Sequence, residues 1–171
     1  VALDLDEQSS IALKYAALYA EMLDFELEVI TVAEETGFIN KLLSSDDLII
    51  KLNKELEDKI AEMVKPYTSK IKVNTHITHG KPYEKIAELA KAFKPAFIIM
   101  GRSEIEKQHV SFLGSNSMHV ILESGFPVVT IRGEMDIEKY RQENQEILLP
   151  LDFKKGVREQ VSGAIDLAGL L

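Results

Sequence analysis

The chain has no cysteine, which excludes disulfide staples, thiolate zinc sites and cysteine nucleophiles. That fits a reducing compartment, and the cytoplasm is the expected location. No apolar run approaches the ~20 residues that a helix needs to cross a bilayer, and no signal peptide is visible at the start. The opening Val1-Ala2-Leu3 reads as the middle of a strand, so the true N-terminus is expected to lie upstream. Basic charge is scarce: 20 Lys and Arg stand against 28 Asp and Glu, a formal net charge of −8. Phosphate backbones and anionic lipid surfaces are bound through excess Lys and Arg, so neither nucleic acid nor a membrane is an expected partner. Low-complexity runs are missing as well. With 46% apolar and 28% charged residues over 171 positions, the composition suits one packed domain with a remainder.

What the chain does contain is a regular alternation of strand-like and helix-like segments. Val1 to Leu5 is a short apolar run expected to form a first strand, and Ser9 or Ser10 is expected to cap the helix after it. On that helix Leu13, Ala16, Ala17, Ala20 and Leu23 share one face. Leu27 to Ala33 is rich in β-branched residues and predicts a second strand. Glu34 to Asp47 reads as a loop, with Gly37 and the capping cluster Ser44-Ser45-Asp46-Asp47. From there Ile49, Leu52, Leu56, Ile60 and Met63 predict a long helix with that stripe in the core, ending near Pro66. Ile71 to Thr78 alternates as a third strand. Gly80-Lys81-Pro82 turns into a helix whose expected buried face is Ile86, Leu89, Ala90 and Phe93. Ala96 to Met100 is continuously apolar, as in a strand covered on both faces. A polar loop over 101–113, a helix from Ser115 or Asn116 through Leu122, and a fifth strand at Val128 to Ile131 complete the pattern.

Alternation of this kind predicts a five-stranded parallel sheet with right-handed crossovers, an α/β three-layer sandwich of Rossmann-like type. Ligands on such sheets bind at the carboxyl ends of strands near the switch point of strand order. Those ends are Asp4, Val32-Ala33, His79-Gly80 and Gly101-Arg102. A glycine such as Gly101 at a strand end lets backbone approach a ligand closely. The pair Gly114-Ser115 at a helix start offers N–H groups, a hydroxyl and the positive end of the helix dipole to an anion. Asp4 with Asp6 can share a divalent ion, though no metal site is expected. His76 and His79 lie three apart on a strand, point to opposite faces and cannot chelate one metal without a bulge. No Gly-x-Ser-x-Gly elbow is present, so nucleophilic catalysis is not expected.

Three stretches in order resemble the universal stress protein family over residues 1–132: Val1-Ala2-Leu3-Asp4, then Gly80-Lys81-Pro82, and then Gly101-Arg102-Ser103-Glu104, nine intervening residues, and Gly114-Ser115. The run Gly114 to Val120 and the Phe126-Pro127-Val128-Val129 segment continue the likeness. The resemblance implies an adenine nucleotide alpha hydrolase-like fold and a non-enzymatic stress-response role. It further implies ATP or AMP, with magnesium, as ligand, held weakly or lost. By the same likeness Asp4 would meet the adenine edge, Val32 and Met100 would line the base, and Gly101, Gly114 and Ser115 would hold ribose and phosphate. Arg102 and Asn116 are counted in the same nucleotide site, Arg102 as a cation that would partly offset the acidic residues if it points inward. Two departures bear on affinity. Glu104 stands where the signature has its second glycine, and Asp4-Leu5-Asp6 replaces the family's Asp-Gly-Ser. Like charges a few ångströms apart cost on the order of 1 kcal/mol or more. The alternatives are a slow ATPase or other nucleotide-dependent enzyme, for which Asp6 and Glu104 are the candidate bases, and a ligand-free dimerisation module. The family likeness also implies pairing through the last strand, Val128 to Ile131, in a homodimer or within a tandem chain.

Beyond this unit, residues 133–146 read as a charged linker. Ile147 to Asp152 reads as another strand and Val157 to Leu171 as another helix. An offset of 148 residues places Asp152 on Asp4, Ala164 on Ala16 and Ala168 on Ala20. The segment 147–171 is therefore expected to be the opening of a second copy of the same unit, docked on the first domain or on another chain.

Overall fold

The computed structural model describes residues 1–34, 46–101, 114–134 and 156–170. In chain order the elements are α1 (Glu7–Leu23), β1 (Leu27–Ala33), α2 (Asp46–Val64), β2 (Val73–His79), α3 (Pro82–Phe93), β3 (Ile98–Gly101), α4 (Ser115–Glu123), β4 (Val128–Ile131) and α5 (Val157–Leu170). The loop expected around Gly37, the capping serines 44 and 45, most of the linker and the strand at 147–152 lie outside the described residues.

β1 pairs in parallel with β2, and β3 pairs in parallel with β4. The N-terminal segment joins the two ladders. Ala2 bridges in parallel to Ile30 on one side and Met100 on the other. Its N–H donates to Ile99 O at 3.0 Å, Leu3 N–H to Ile30 O at 2.8 Å, and Ile30 N–H to Val1 O at 2.9 Å. The spatial order is β2, β1, N-terminal segment, β3, β4. Chain order thus reverses between the N-terminal segment and β3, which is the switch point of a doubly wound sheet.

The first strand is shorter than the expected Val1 to Leu5. Only Ala2 keeps strand pairing, because Leu5 turns to a φ of 68°. That left-handed backbone costs a non-glycine residue roughly 1–2 kcal/mol. Here the half-buried Leu5 side chain offsets part of it by packing against the core.

Helices cover both faces. Leu13, Ala16, Ala17 and Ala20 of α1 and Ile60 and Val64 of α2 pack with Leu3, Leu27, Val29 and Ile99 in one buried cluster. Ile86 and Ala90 of α3 and Val120 of α4 pack with Ile30, Ile98 and Met100 in the other. Small alanines on α1 let that helix lie close to the sheet. On the opposite face, Tyr83 stacks on His119 with ring centroids 4.5 Å apart and ties α3 to α4.

Two expected core stripes are corrected. Of the α2 stripe, Ile60 is 2% exposed, but Leu52 is 37% exposed, so the helix packs through its C-terminal half. Phe93 of α3 stands at the rim, where its ring lies 4.7 Å from that of His76, and Ala87 takes a buried place instead. His76 Nε2 lies 2.5 Å from Glu28 Oε2. The asymmetry of α2 gives a direct expectation. Ile60→Ala should cost about 2–5 kcal/mol in urea unfolding, whereas Leu52→Ala should stay within about 0.5 kcal/mol of the parent.

Candidate functional site

Because the strands are parallel, every crossover helix runs back across the sheet, and the first turns of α1, α3 and α4 meet the strand ends at the carboxyl edge. Register then assembles the site. Ala2 is level with Ile30 and Met100, so Leu3 comes level with Gly101, and Asp4 comes level with Val32. Asp4, Val32 and Gly101 therefore stand at neighbouring strand ends around the switch point. Met100 lies one residue inside, only 6% exposed and fixed in the core cluster, so it forms floor rather than wall.

α4 connects β3 to β4, so its first turn, opened by Gly114, shares the edge with Gly101. Gly114 supplies no side-chain cap, and a helix N-terminus leaves N–H groups without intrahelical partners. Ser115 is exposed there and Asn116 half-buried. Arg102 and Glu104 lie outside the described residues.

Asp4 and Asp6 take different roles. Asp6 caps α1: its Oδ1 accepts from the Ser9 N–H at 2.6 Å, and its carbonyl accepts from the Ser9 and Ser10 hydroxyls at 3.1 and 2.9 Å. The expected cap at Ser9 or Ser10 thus moves to Asp6, with the serines supporting it from inside the first turn. This also explains the second acid of Asp4-Leu5-Asp6: its carboxylate is engaged in the helix start. Asp6→Ala should lower stability by about 1 kcal/mol, read from the urea midpoint.

Asp4 Oδ1 accepts from the Asp6 N–H at 3.3 Å. The tip of Asp4 reaches solvent, yet the backbone turn around it removes part of its hydration. That burial is the main force raising its pKa above the usual 3.8, and a side-chain hydrogen bond with Asp6 raises it further. A carboxylate crowded in this way gains from a neutral N–H donor or a cation placed at its free edge.

Gly101 has a reason of its own. A Cβ built on it would lie 2.7 Å from the carbonyl carbon and oxygen of Gln8 and 2.8 Å from Ser9 N, closer than real Cβ contacts come. The glycine therefore lets β3 meet the first turn of α1. Close approach was the right property, but the neighbour is the protein's own backbone. Gln8, which has no motif signature in the sequence, is the residue that this contact adds.

The described residues also line an open pocket of about 470 Å³ at the amino edge of the sheet, with Val1, Tyr19, Phe25, Phe93 and Phe97 among its walls. It lies at the opposite end of the strands from Asp4 and Gly101. Among the described residues no group of three or more His, Asp or Glu is placed to hold a metal ion, and no helix is long and apolar enough to cross a membrane.

Comparison with known proteins decides the family. The model of the universal stress protein family matches residues 1–132. The chain belongs to that family. Among solved structures, this universal stress protein is similar to hypothetical protein MJ0577, with 26% identity, 79% of this chain and 94% of that chain covered, and a TM-score of 0.67. The same fold is shared by the universal stress protein from Archaeoglobus fulgidus in complex with dAMP (20% identity, 77% and 94% covered, TM-score 0.56). It is shared too by a universal stress protein in complex with cAMP (17% identity, 77% and 92% covered, TM-score 0.59). No match was found among curated proteins.

Proposed function

We propose that this universal stress protein binds an adenine nucleotide, ATP or AMP, at the carboxyl edge of its sheet and acts without catalysis in the cytoplasm. The observation that carries the reading is the convergence of Asp4, Val32 and Gly101 at adjacent strand ends, beside the α4 turn opened by Gly114. In this reading Asp4 accepts from the exocyclic amino group of adenine, Val32 packs on the base above the Met100 floor, and Gly101 borders the ribose. The Gly114-Ser115 turn receives phosphate through its N–H groups. Relatives of the same fold in complex with dAMP and cAMP support the ligand class. Magnesium would neutralise phosphate charge in a chain that is acidic overall. Absence of turnover is favoured because Asp6, one of two candidate bases, is already the cap of α1.

The same reading takes the chain as tandem, with 1–132 as the first unit, 133–146 as a linker and 147–171 as the opening of a second. The β4 edge at Val128–Ile131 would be the pairing surface, within the chain or in a homodimer. Calorimetric titration with ATP and AMP, with and without magnesium, tests the ligand. Saturable binding with no released phosphate is expected. Turnover would favour a slow ATPase, and a flat titration would leave a module that binds nothing small. Glu104→Gly should strengthen binding if the carboxylate opposes phosphate.

A further inference from the structure

The chain leaves the sheet at the carboxyl end of β4, and two contacts fasten that exit to α1. The Gly133 N–H donates to Gln8 Oε1 at 3.3 Å, and Lys14 Nζ donates to Glu134 Oε1 at 2.9 Å. Gly133 has a φ of 71°, the left-handed backbone a glycine adopts without penalty, which here turns the chain at its exit from the strand. The Lys14–Glu134 hydrogen bond raises the lysine pKa and lowers that of the glutamate. The same first turns of α1 bear on the cleft. Asp6 caps the helix two residues after Asp4, and Gly101 abuts the backbone of Gln8 and Ser9. One short stretch of helix therefore has the cleft on one side and the outgoing chain on the other.

From this juxtaposition we infer that Gln8 and Lys14 form a latch. They hold Gly133–Glu134 against the wall of the cleft, so that a ligand seated on Asp4 and the turn behind it is felt at Gly133 and Glu134. The latch rests on the contacts alone, and its response to ligand rests on the nucleotide reading above. The half-buried Gly133–Gln8 bond is the stronger part. The Lys14–Glu134 pair is exposed and screened by salt, so it contributes less.

Residue-resolved amide exchange on the full chain tests it. In ligand-free protein Gln8→Ala should speed exchange at Gly133 about 5- to 10-fold while leaving β2 amides unchanged. Gln8→Glu keeps an acceptor and should retain slow exchange, which separates loss of the bond from damage to the helix. Unchanged exchange at Gly133 in Gln8→Ala, or equal acceleration in both variants, overturns the latch. AMP should then shift the Gly133 and Glu134 resonances in the parent and not in the Gln8→Ala/Lys14→Ala double variant. Shifts at Asp4 and Ser115 with none at Gly133 overturn the transmission but keep the nucleotide reading. No shift at any cleft resonance overturns the nucleotide reading and the transmission together, while the ligand-free exchange alone decides the latch.

Discussion

Gly101→Ala is expected to lower the unfolding free energy by about 2–3 kcal/mol, with a fall of roughly 5–10 °C in Tm. The added Cβ would meet Gln8 carbonyl atoms at 2.7 Å and Ser9 N at 2.8 Å. These are backbone atoms inside a capped helix turn, so no flexible side chain can move aside. Relief requires β3 and α1 to separate, which strips contacts from the cluster containing Leu13, Ala16 and Ile99. Urea unfolding of the ligand-free chain checks this, and a neutral Gly101→Ala would show that the approach of β3 to α1 is looser than described. The signature glycine is thus required by the fold before any ligand is considered.

The second large effect is expected at Asp4. Asp4→Ala should weaken AMP binding by about 10-fold or more, because a hydrogen bond to a charged group contributes roughly 1.5–3 kcal/mol. Stability should move the other way. The folded-state pKa of Asp4 is raised above the ordinary 3.8, chiefly by burial. A raised carboxyl favours the fold below the unfolded pKa, and this contribution is lost as pH rises through the folded value. At neutral pH the charged Asp4 is therefore a small liability, and its exposed tip keeps that liability modest. Asp4→Ala should unfold no earlier than the parent at pH 7 and should show a flatter stability profile across the acid range. Titration calorimetry and urea midpoints at several pH values read the two effects separately. Lost affinity together with a large loss of stability would mean that Asp4 holds the fold instead of a ligand.

These two residues also show what was legible in the sequence. β-Branched runs and Gly/Pro punctuation placed β1 and β4 at their observed bounds and put Pro82 at the start of α3, because those signals are local. The strand ends Asp4, Val32 and Gly101 followed from the parallel topology. Long-range choices were not legible. Helical spacing marked Leu52 and Ile60 alike, but it is Ile60 and Val64 that reach the buried cluster, so Leu52 is exposed and Ile60 buried. Ser9 and Asp6 are both good caps by type. The turn at Leu5 decides between them by placing the Asp6 carboxylate on the Ser9 N–H. Leu5 stands where the family has glycine, yet it adopts the glycine-like backbone and recovers part of the strain through packing. Gln8 carried no pattern at all, because its importance comes from Gly101 and Gly133, both distant in sequence.

The most direct measurement is a crystal structure of the full chain grown with AMP. The base edge should lie against Asp4 beside Val32, and the phosphate should lie at the N–H groups of Gly114-Ser115. Nucleotide seated instead in the amino-edge pocket lined by Tyr19 and Phe97, or absent at saturating concentration, would contradict the assignment of the carboxyl edge as the binding site.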